Sequence, residues 1–257
     1  MLRSRIIPCL LVHHKGLVKT VQFNIKESKY IGDPINAVKI FNEKGVDEIM
    51  VLDIDATVDS HEPDMELIRN LAVECRMPFC YGGGVTTVEQ VKKIIALGAE
   101  KVAISFAAIY NTDLLREMSK AVGAQSVILV LDVRKKGLFK QEYEIFTHNG
   151  TKRTGFKLID FLKNIQNIPY GELVINNIDQ DGMMKGYDFE LSDLVREATD
   201  LPITILGGAA SLSDIKRLIS RYRTIGAAAG SLFVFKGKYK AVLINYPNKE
   251  EKKLLVK

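Results

Sequence analysis

Eight short apolar runs, each separated from the next by a longer amphipathic segment, constrain this chain more than any other feature. The runs lie at 5–12, 48–55, 78–82, 101–105, 126–133, 172–177, 202–206 and 225–229. Most are nearly continuous in apolar residues, the pattern of strands buried on both faces of a parallel sheet. The segments between them carry helix start and stop signals. Asp33-Pro34 offers an N-cap with proline at the first helical position. Thr86-Thr87-Val88-Glu89 and Ser211-Leu212-Ser213-Asp214 read as capping boxes, the second with Asp in place of Glu or Gln. Gly45 and Gly98 stand where helices should end. Eight β units alternating with eight α units predict a closed parallel (β/α)8 TIM barrel. An open doubly wound sheet fits less well, because no early Gly-x-Gly-x-x-Gly fingerprint is present. At 257 residues the chain has the length of one barrel, so 1–257 is expected to form one domain.

Self-comparison adds an internal repeat. Met77-Pro-Phe-Cys-Tyr-Gly-Gly-Gly-Val matches Leu201-Pro-Ile-Thr-Ile-Leu-Gly-Gly-Ala at a spacing of 124 residues (202 − 78). Ile54-Asp55 matches Ile178-Asp179 at the same spacing, and Ala103-Ile-Ser-Phe matches Ala228-Ala-Gly-Ser one residue later. The barrel therefore reads as two half-barrels, with duplicated sites across a pseudo-twofold axis. One acid breaks the symmetry. Ser126-Val-Ile-Leu-Val-Leu-Asp-Val ends on Asp132, whereas Arg5-Ile-Ile-Pro-Cys-Leu-Leu-Val carries Leu11 at the matching place. Glycine turns after the strands predict two phosphate sites. Gly208, Gly230 and Ser231 serve the second half, and Gly84 and Ser105 the first, where Phe106 is a poor substitute for a small polar residue. A substrate with a phosphate at each end would fit.

Composition narrows the function classes. The Lys and Arg residues behind the net charge of +5 are scattered, which argues against nucleic acid and leaves anionic small molecules open. No apolar stretch approaches the ~20 residues of a membrane span, and no secretory leader is recognisable. Cys9, Cys75 and Cys80 lack metal or redox spacing, and Cys9 and Cys80 sit inside apolar runs, so these two are expected to be buried thiols in a cytoplasmic protein. His13 and His14 read as solvated loop residues, with no metal and no cofactor implied. Of Asp53 and Asp55, at most one is expected to face the lumen, with Asp53 orienting Lys19 or bonding structurally. Alternation around Asn149-Gly150 predicts a hairpin after the fifth strand, over the C-terminal mouth.

Arg5-Ile-Ile-Pro-Cys-Leu, Val18-Lys19, Gly32-Asp33-Pro34, Leu52-Asp53-Ile54, Gly82-Gly83-Gly84-Val85, Lys101-Val102, Tyr143 to Gly150, Ile178-Asp-Gln-Asp-Gly182 and Gly207-Gly208-Ala209 occur in this order over nearly the whole chain. They resemble the cyclase subunit of imidazole glycerol phosphate synthase. That family takes ammonia from a separate glutaminase subunit, with which it forms a heterodimer. The ammonia cleaves and cyclises a bisphosphorylated aminoimidazole carboxamide ribonucleotide derivative. The resemblance implies two aspartates as general acid and base. One maps to Asp132 and the other to Leu11, which cannot transfer a proton. It makes 16–19 a mobile first loop with Lys19 binding substrate, and assigns Asp181 and Gly182 to the second phosphate site. Asn176 and Leu206 stand where small hydroxyl residues are usual near the substrate.

Arg5, Glu48, Lys101 and Glu172 each open a strand and should ring the N-terminal mouth as paired charges. The resemblance makes this ring an ammonia gate; a purely structural cluster is the other reading. The stretches 30–44 and 230–247 resemble a divergent branch that accompanies surface-polysaccharide genes. That branch implies ammonia delivery, with a glutaminase and a sugar-modifying ligase, for turning an acetamido sugar into an acetamidino sugar. The acceptor would be a phosphorylated or sugar-nucleotide small molecule. The alternatives are a genuine histidine-pathway cyclase working with Asp132 alone, and a catalytically silent activator of the glutaminase.

Overall fold

A strand buried on both faces must also satisfy the hydrogen bonds of both its edges, and closure is the arrangement that leaves no edge free. The computed structural model, which describes residues 3–137 and 142–256, closes eight parallel strands in this way. The barrel strands are β1 (Arg5–His13), β2 (Ile49–Asp53), β3 (Phe79–Gly82), β4 (Lys101–Ile104), β5 (Val127–Lys136), β6 (Glu172–Asn177), β7 (Ile203–Leu206) and β8 (Gly226–Ala229). Each pairs with the next, and β8 returns to β1 through the register Arg5↔Gly226 to Pro8↔Ala229. All eight expected strands are present: β3, β4, β7 and β8 each one residue shorter than expected, β2 three shorter, β6 as expected, and β1 and β5 running on past their expected ends.

The period of two along each strand divides the apolar residues between two cores. Ile6, Leu10, Ile49, Phe79, Leu129 and Ile205 face outward and pack under the helices. Ile7, Cys9, Met50, Cys80, Ile128 and Val174 face inward and fill the lumen as a separate cluster. Helices begin where the sequence offers caps. Asp33 Oδ1 accepts from Asn36 N ahead of Pro34–Glu43. Gly45 and Gly98 follow their helices with φ of 61° and 112°. The Ser211–Asp214 capping box is present, but its counterpart lies one residue beyond the expected Thr86–Glu89 pair. Thr87 caps the helix Val88–Ala96 and Gln90 reciprocates, because Gln90 is the residue at the third helical position. No helix among the described residues is long and apolar enough to cross a membrane.

Two excursions leave the C-terminal end of the barrel. β1 turns at His14 and Lys15 into an antiparallel strand Gly16–Lys19, which pairs in turn with Lys29–Gly32. Residues 16–19 of the expected first loop thus form the middle strand of a meander, with backbone pairing on both sides. β5 likewise runs on into the antiparallel strands Glu142–Thr147 and Lys152–Lys157, turning at His148, Asn149 and Gly150. This is the expected hairpin.

Asp188 fastens that hairpin to the barrel. Its carboxylate caps the helix Phe189–Ala198 through Leu191 N (3.0 Å) and accepts from Tyr143 Oη (2.8 Å) and Asn177 Nδ2 (2.9 Å). Tyr143 and Asn177 are buried, so Asp188→Ala would orphan two buried donors and a cap together. We expect a loss of about 3 kcal/mol in urea unfolding, with the near-ultraviolet signal of the hairpin aromatics lost at lower urea than the helical signal.

Candidate functional site

The lumen is built in layers. At its N-terminal end four charges form the ring expected from their positions. Arg5 binds Glu48 (Nη1–Oε2, 2.5 Å) and Glu172 (Nη2–Oε1, 2.7 Å). Lys101 Nζ reaches Glu48 Oε1 at 2.8 Å and Glu172 Oε2 at 3.0 Å. Each charge thus meets both opposite charges. Thr204 is a fifth member that sequence reading missed; its hydroxyl donates to Glu172 Oε1. The signal was available, since Thr204 is a lone polar residue on the same strand face as Leu206. Gly226 leaves room for it, because a Cβ there would strike the Thr204 side chain. Burial alone would raise the Glu172 carboxyl, but hydrogen bonds and charge from Arg5, and charge from Lys101, hold it below the usual carboxylate range.

Above the ring the lumen is apolar as far as a cavity of about 130 Å³ at the C-terminal mouth. Leu11, Leu52, Val130 and Leu206 line it together with Asp132 and Asn176. Leu11 and Asp132, matched by the repeat, therefore share one cavity. Asp132 lies beside Asn176 across β5 and β6, and Asn176 Nδ2 donates to its Oδ1 at 3.0 Å. Burial pushes the Asp132 carboxyl up to about 7, against the lowering effect of that hydrogen bond. An acid of this strength is suited to exchanging protons near neutrality. Asn176 Oδ1 is buried without a partner, an acceptor left for whatever enters.

Lys19 also lines the cavity, with its Nζ donating to Cys9 O at 2.6 Å. Burial lowers its pKa. Gly230 is bare where Lys19 needs room, since a Cβ there would strike Nζ. Asp181 borders the same space, its carboxyl raised by burial and bonded by the Thr20 hydroxyl at 2.8 Å. A smaller cavity nearby is lined by Asp181, Gly182, Gly208, Gly230 and Ser231. Gly84 and Ser105 lie instead in the wall of the main cavity, next to Phe106.

One reading left open by the sequence is narrowed by the structure, and one expectation needs correction. Asp53 borders the cavity but does not orient Lys19. Its Oδ1 accepts from the backbone N–H groups of Asp55 (3.0 Å) and Ala56 (3.3 Å), the structural alternative. His13 and His14 are not both free loop residues. His13 ends β1 and binds Asp55 Oδ1 through Nδ1 at 2.6 Å, while the His14 backbone N–H donates to Asp55 Oδ2 at 2.7 Å. Asp55 thereby staples the first meander to the loop after β2. The three side chains could approach one metal ion, but Asp55 already spends both oxygens on the turn. Cys9 and Cys80 are buried free thiols as expected, with the Cys9 thiol pushed up to about 11 by burial.

Comparison with known proteins gives one consistent result. The family model described as histidine biosynthesis protein matches residues 5–240. A protein of Vibrio vulnificus (strain YJ016), provisionally named imidazole glycerol phosphate synthase subunit hisF3, is 54% identical over 253 residues, 98% of this chain and 96% of the relative. A provisionally named imidazole glycerol phosphate synthase subunit HisF of Leptospira interrogans is 51% identical over 255 residues, 99% of each chain. The subunit so named without qualification in Natranaerobius thermophilus is 34% identical over 246 residues, 96% of each.

The raised Asp132 carboxyl has a consequence for stability. The folded state binds this proton more tightly than the unfolded chain, whose carboxylate titrates near about 3.9. The associated stability is therefore complete below about pH 4 and is lost as pH rises through about 7. Asp132→Asn keeps the acceptor for Asn176 and removes the buried charge. It should unfold at higher urea than the parent protein at pH 8, with the gap narrowing at pH 5.

Proposed function

The chain belongs to the histidine biosynthesis protein family, among the imidazole glycerol phosphate synthase HisF subunits, and we propose that it works there as the ammonia-accepting barrel of a glutamine amidotransferase. In this reading a glutaminase docks at the N-terminal mouth and releases ammonia onto the ring of Arg5, Glu48, Lys101 and Glu172. The apolar lumen carries the neutral molecule upward and offers an ammonium ion no pairing. Asp132 then takes a proton as nitrogen bonds to an acceptor held in the C-terminal cavity. Lys19 and Asn176 bind that acceptor, and Gly208, Gly230 and Ser231, with Asp181 and Gly182, receive a phosphate group on it.

The observation that carries the finer reading is Leu11. Apolar side chains occupy the lumen between ring and cavity, and at the position of the second acid of a two-acid cyclase an alkyl side chain faces the same cavity as Asp132. We therefore assign the acceptor as an acetamido sugar derivative that becomes an acetamidino sugar for a surface polysaccharide, with a sugar-modifying ligase as third component, in the cytoplasm. Attack of ammonia on an activated amide carbon needs one proton acceptor, whereas cleavage and ring closure of the ribonucleotide call for an acid and a base. A genuine histidine-pathway cyclase is the second reading, favoured by Asp132 standing near neutrality and by the Natranaerobius relative.

Purified protein supplied with excess ammonium and the histidine-pathway ribonucleotide should form no imidazole product, and loss of one acid/base group accounts for about 10²–10⁴ in rate. Robust turnover would establish the cyclase and sink the polysaccharide role. The gate has its own test. With the glutaminase bound, Lys101→Met should lower transfer of glutamine-derived nitrogen while leaving the reaction with external ammonium intact. Equal loss on both nitrogen sources would mean that the ring is only structural.

A further inference from the structure

The two ends of the C-terminal cavity are matched by the internal repeat but not by chemistry. Among the described residues lining it, Lys19 is the only Lys or Arg, and it lies against Gly230 in the second half. The first-half end has no cation. Its glycines are explained by packing: a Cβ on Gly83 would meet Asp53 O at 2.5 Å, and one on Gly84 would meet His61 O at 2.6 Å. Neither turn needs a phosphate to account for it.

What the first-half end has instead is aromatic rings. Phe106 follows β4 and lines the cavity, half-buried, beside Ser105 and Ala107. His148, from the tip of the β5 hairpin, stands edge-on to it at 5.0 Å between centroids with an interplanar angle of 88°. Burial and the nearby Lys152 lower the His148 pKa, so this ring is uncharged near neutrality. The series continues outward through Tyr110, 5.2 Å from Phe106, to Phe156, 6.3 Å from Tyr110. Tyr110 and Phe156 are 55% and 41% exposed, so part of the aromatic surface is open beside the mouth. His148 also holds a left-handed φ of 51°, a conformation that L residues adopt at a cost of order 1–3 kcal/mol unless the surroundings enforce it.

A dianionic phosphate placed among these rings would be desolvated with no Lys or Arg beside it in the cavity wall formed by the described residues, since the nearby Lys152 stands outside that wall. A planar ring would instead gain stacking and edge contacts. We propose that the first-half end of the cavity is a nucleobase subsite, so that the ligand is a nucleotide lying with its phosphate toward Lys19 and Gly230 and its base against Phe106 and His148. This rests on the cavity being the acceptor site, and it narrows the acceptor to a nucleotide-linked one. Polar groups suited to the edge of a base are at hand. Asn149 spends its Nδ2 on Ile54 O (2.8 Å), leaving its Oδ1 to accept, and Ser105 makes no capping bond.

Calorimetric titration of the full chain with AMP, UMP, ribose 5-phosphate, glucose 1-phosphate and inorganic phosphate tests this directly. The nucleotides should bind at least about tenfold more tightly than ribose 5-phosphate, the scale of one base–aromatic stack. Phe106→Leu should abolish that advantage with ribose 5-phosphate affinity unchanged, and Phe106→Tyr, which keeps the ring, should retain it. Circular dichroism melts of both variants separate a lost subsite from a lost fold. Equal affinity for ribose 5-phosphate and the nucleotides overturns the proposal, as does a preference for glucose 1-phosphate or an advantage that survives Phe106→Leu. Glutaminase stimulation by the unaltered barrel reports on the conduit separately. Stimulation without nucleotide binding removes only the base subsite, and nucleotide binding without stimulation removes only the conduit.

Discussion

Closing eight parallel strands drives every second side chain into one narrow lumen, and the handling of charge in that lumen governs the rest of the molecule. Buried charges are costly unless paired, and a buried pair seldom does better than an apolar replacement. At the N-terminal end the cost is met by geometry. Arg5, Lys101 and Glu172 open three different strands and Glu48 lies just ahead of a fourth, so each cation reaches both carboxylates and each carboxylate both cations. Such a ring fixes the relative height of β1, β4 and β6, together with the residue just ahead of β2. A one-residue slip of any strand would turn its charge outward among the helices. Near the C-terminal end no cation among the described residues pairs with Asp132. Lys19 gives its proton donors to the Cys9 carbonyl instead, and the carboxyl responds by rising toward neutrality. The same constraint, a lone or a shared charge in a buried lumen, yields a mutually paired ring at one end and a carboxyl raised toward neutrality at the other.

The internal repeat is visible in bonds as well as in letters. Residues 124 apart (177 − 53) do the same local work. Asp53 Oδ1 accepts from Asp55 N, and Asn177 Oδ1 accepts from Asp179 N, both at 3.0 Å. Gly83 must be bare because of Asp53 O, and Gly207 because of Asn177 O. The capping boxes at Thr87–Gln90 and Ser211–Asp214, and the helix caps Asp64 and Asp188, fall into the same register. What the two halves keep in common is the scaffold of turns and helix starts. What they have lost in common is lumen chemistry: Leu11 against Asp132, Leu52 against Asn176, Phe106 against Ser231. Divergence is concentrated where a side chain meets the cavity and is small where it meets the backbone.

That division also explains what could be read from the chain before its structure. Strands and helix caps are local, so eight apolar runs and the Asp33-Pro34 and Ser211–Asp214 signals located them to within a residue or two. The charge ring was legible because each of its members opens a run, which fixes its height, and alternation fixes its face. Thr204 obeys the same logic and was overlooked only for being uncharged. The His13–Asp55 staple was not legible. It depends on how far the first meander folds back, and no local pattern encodes the distance between two loops. Asp53 stayed open between two roles for a related reason: a strand-end carboxylate can serve its own turn or the site, and only the turn geometry after Asp53 shows its bonds to that turn.

The aromatic end of the cavity follows from this view of divergence. If Phe106 merely filled space left by a lost phosphate site, it would be expected to be buried and to pack against the apolar lumen. It stands half-buried at the mouth, edge to face with a hairpin residue and continuous with exposed rings. Leu11, Leu52 and Leu206 change the floor of the same cavity in the same direction, replacing charge or hydrogen bonding by alkyl surface. On the proposed reading, alkyl substitution on the floor leaves Asp132 as the single acid/base group facing the cavity and leaves the charge ring at the other end unchanged. Rings at one end and a single lysine at the other make the cavity polar along its length. If the proposed base subsite holds, such a cavity suits a ligand whose own two ends differ, one flat and one anionic, better than a bisphosphate whose ends are alike.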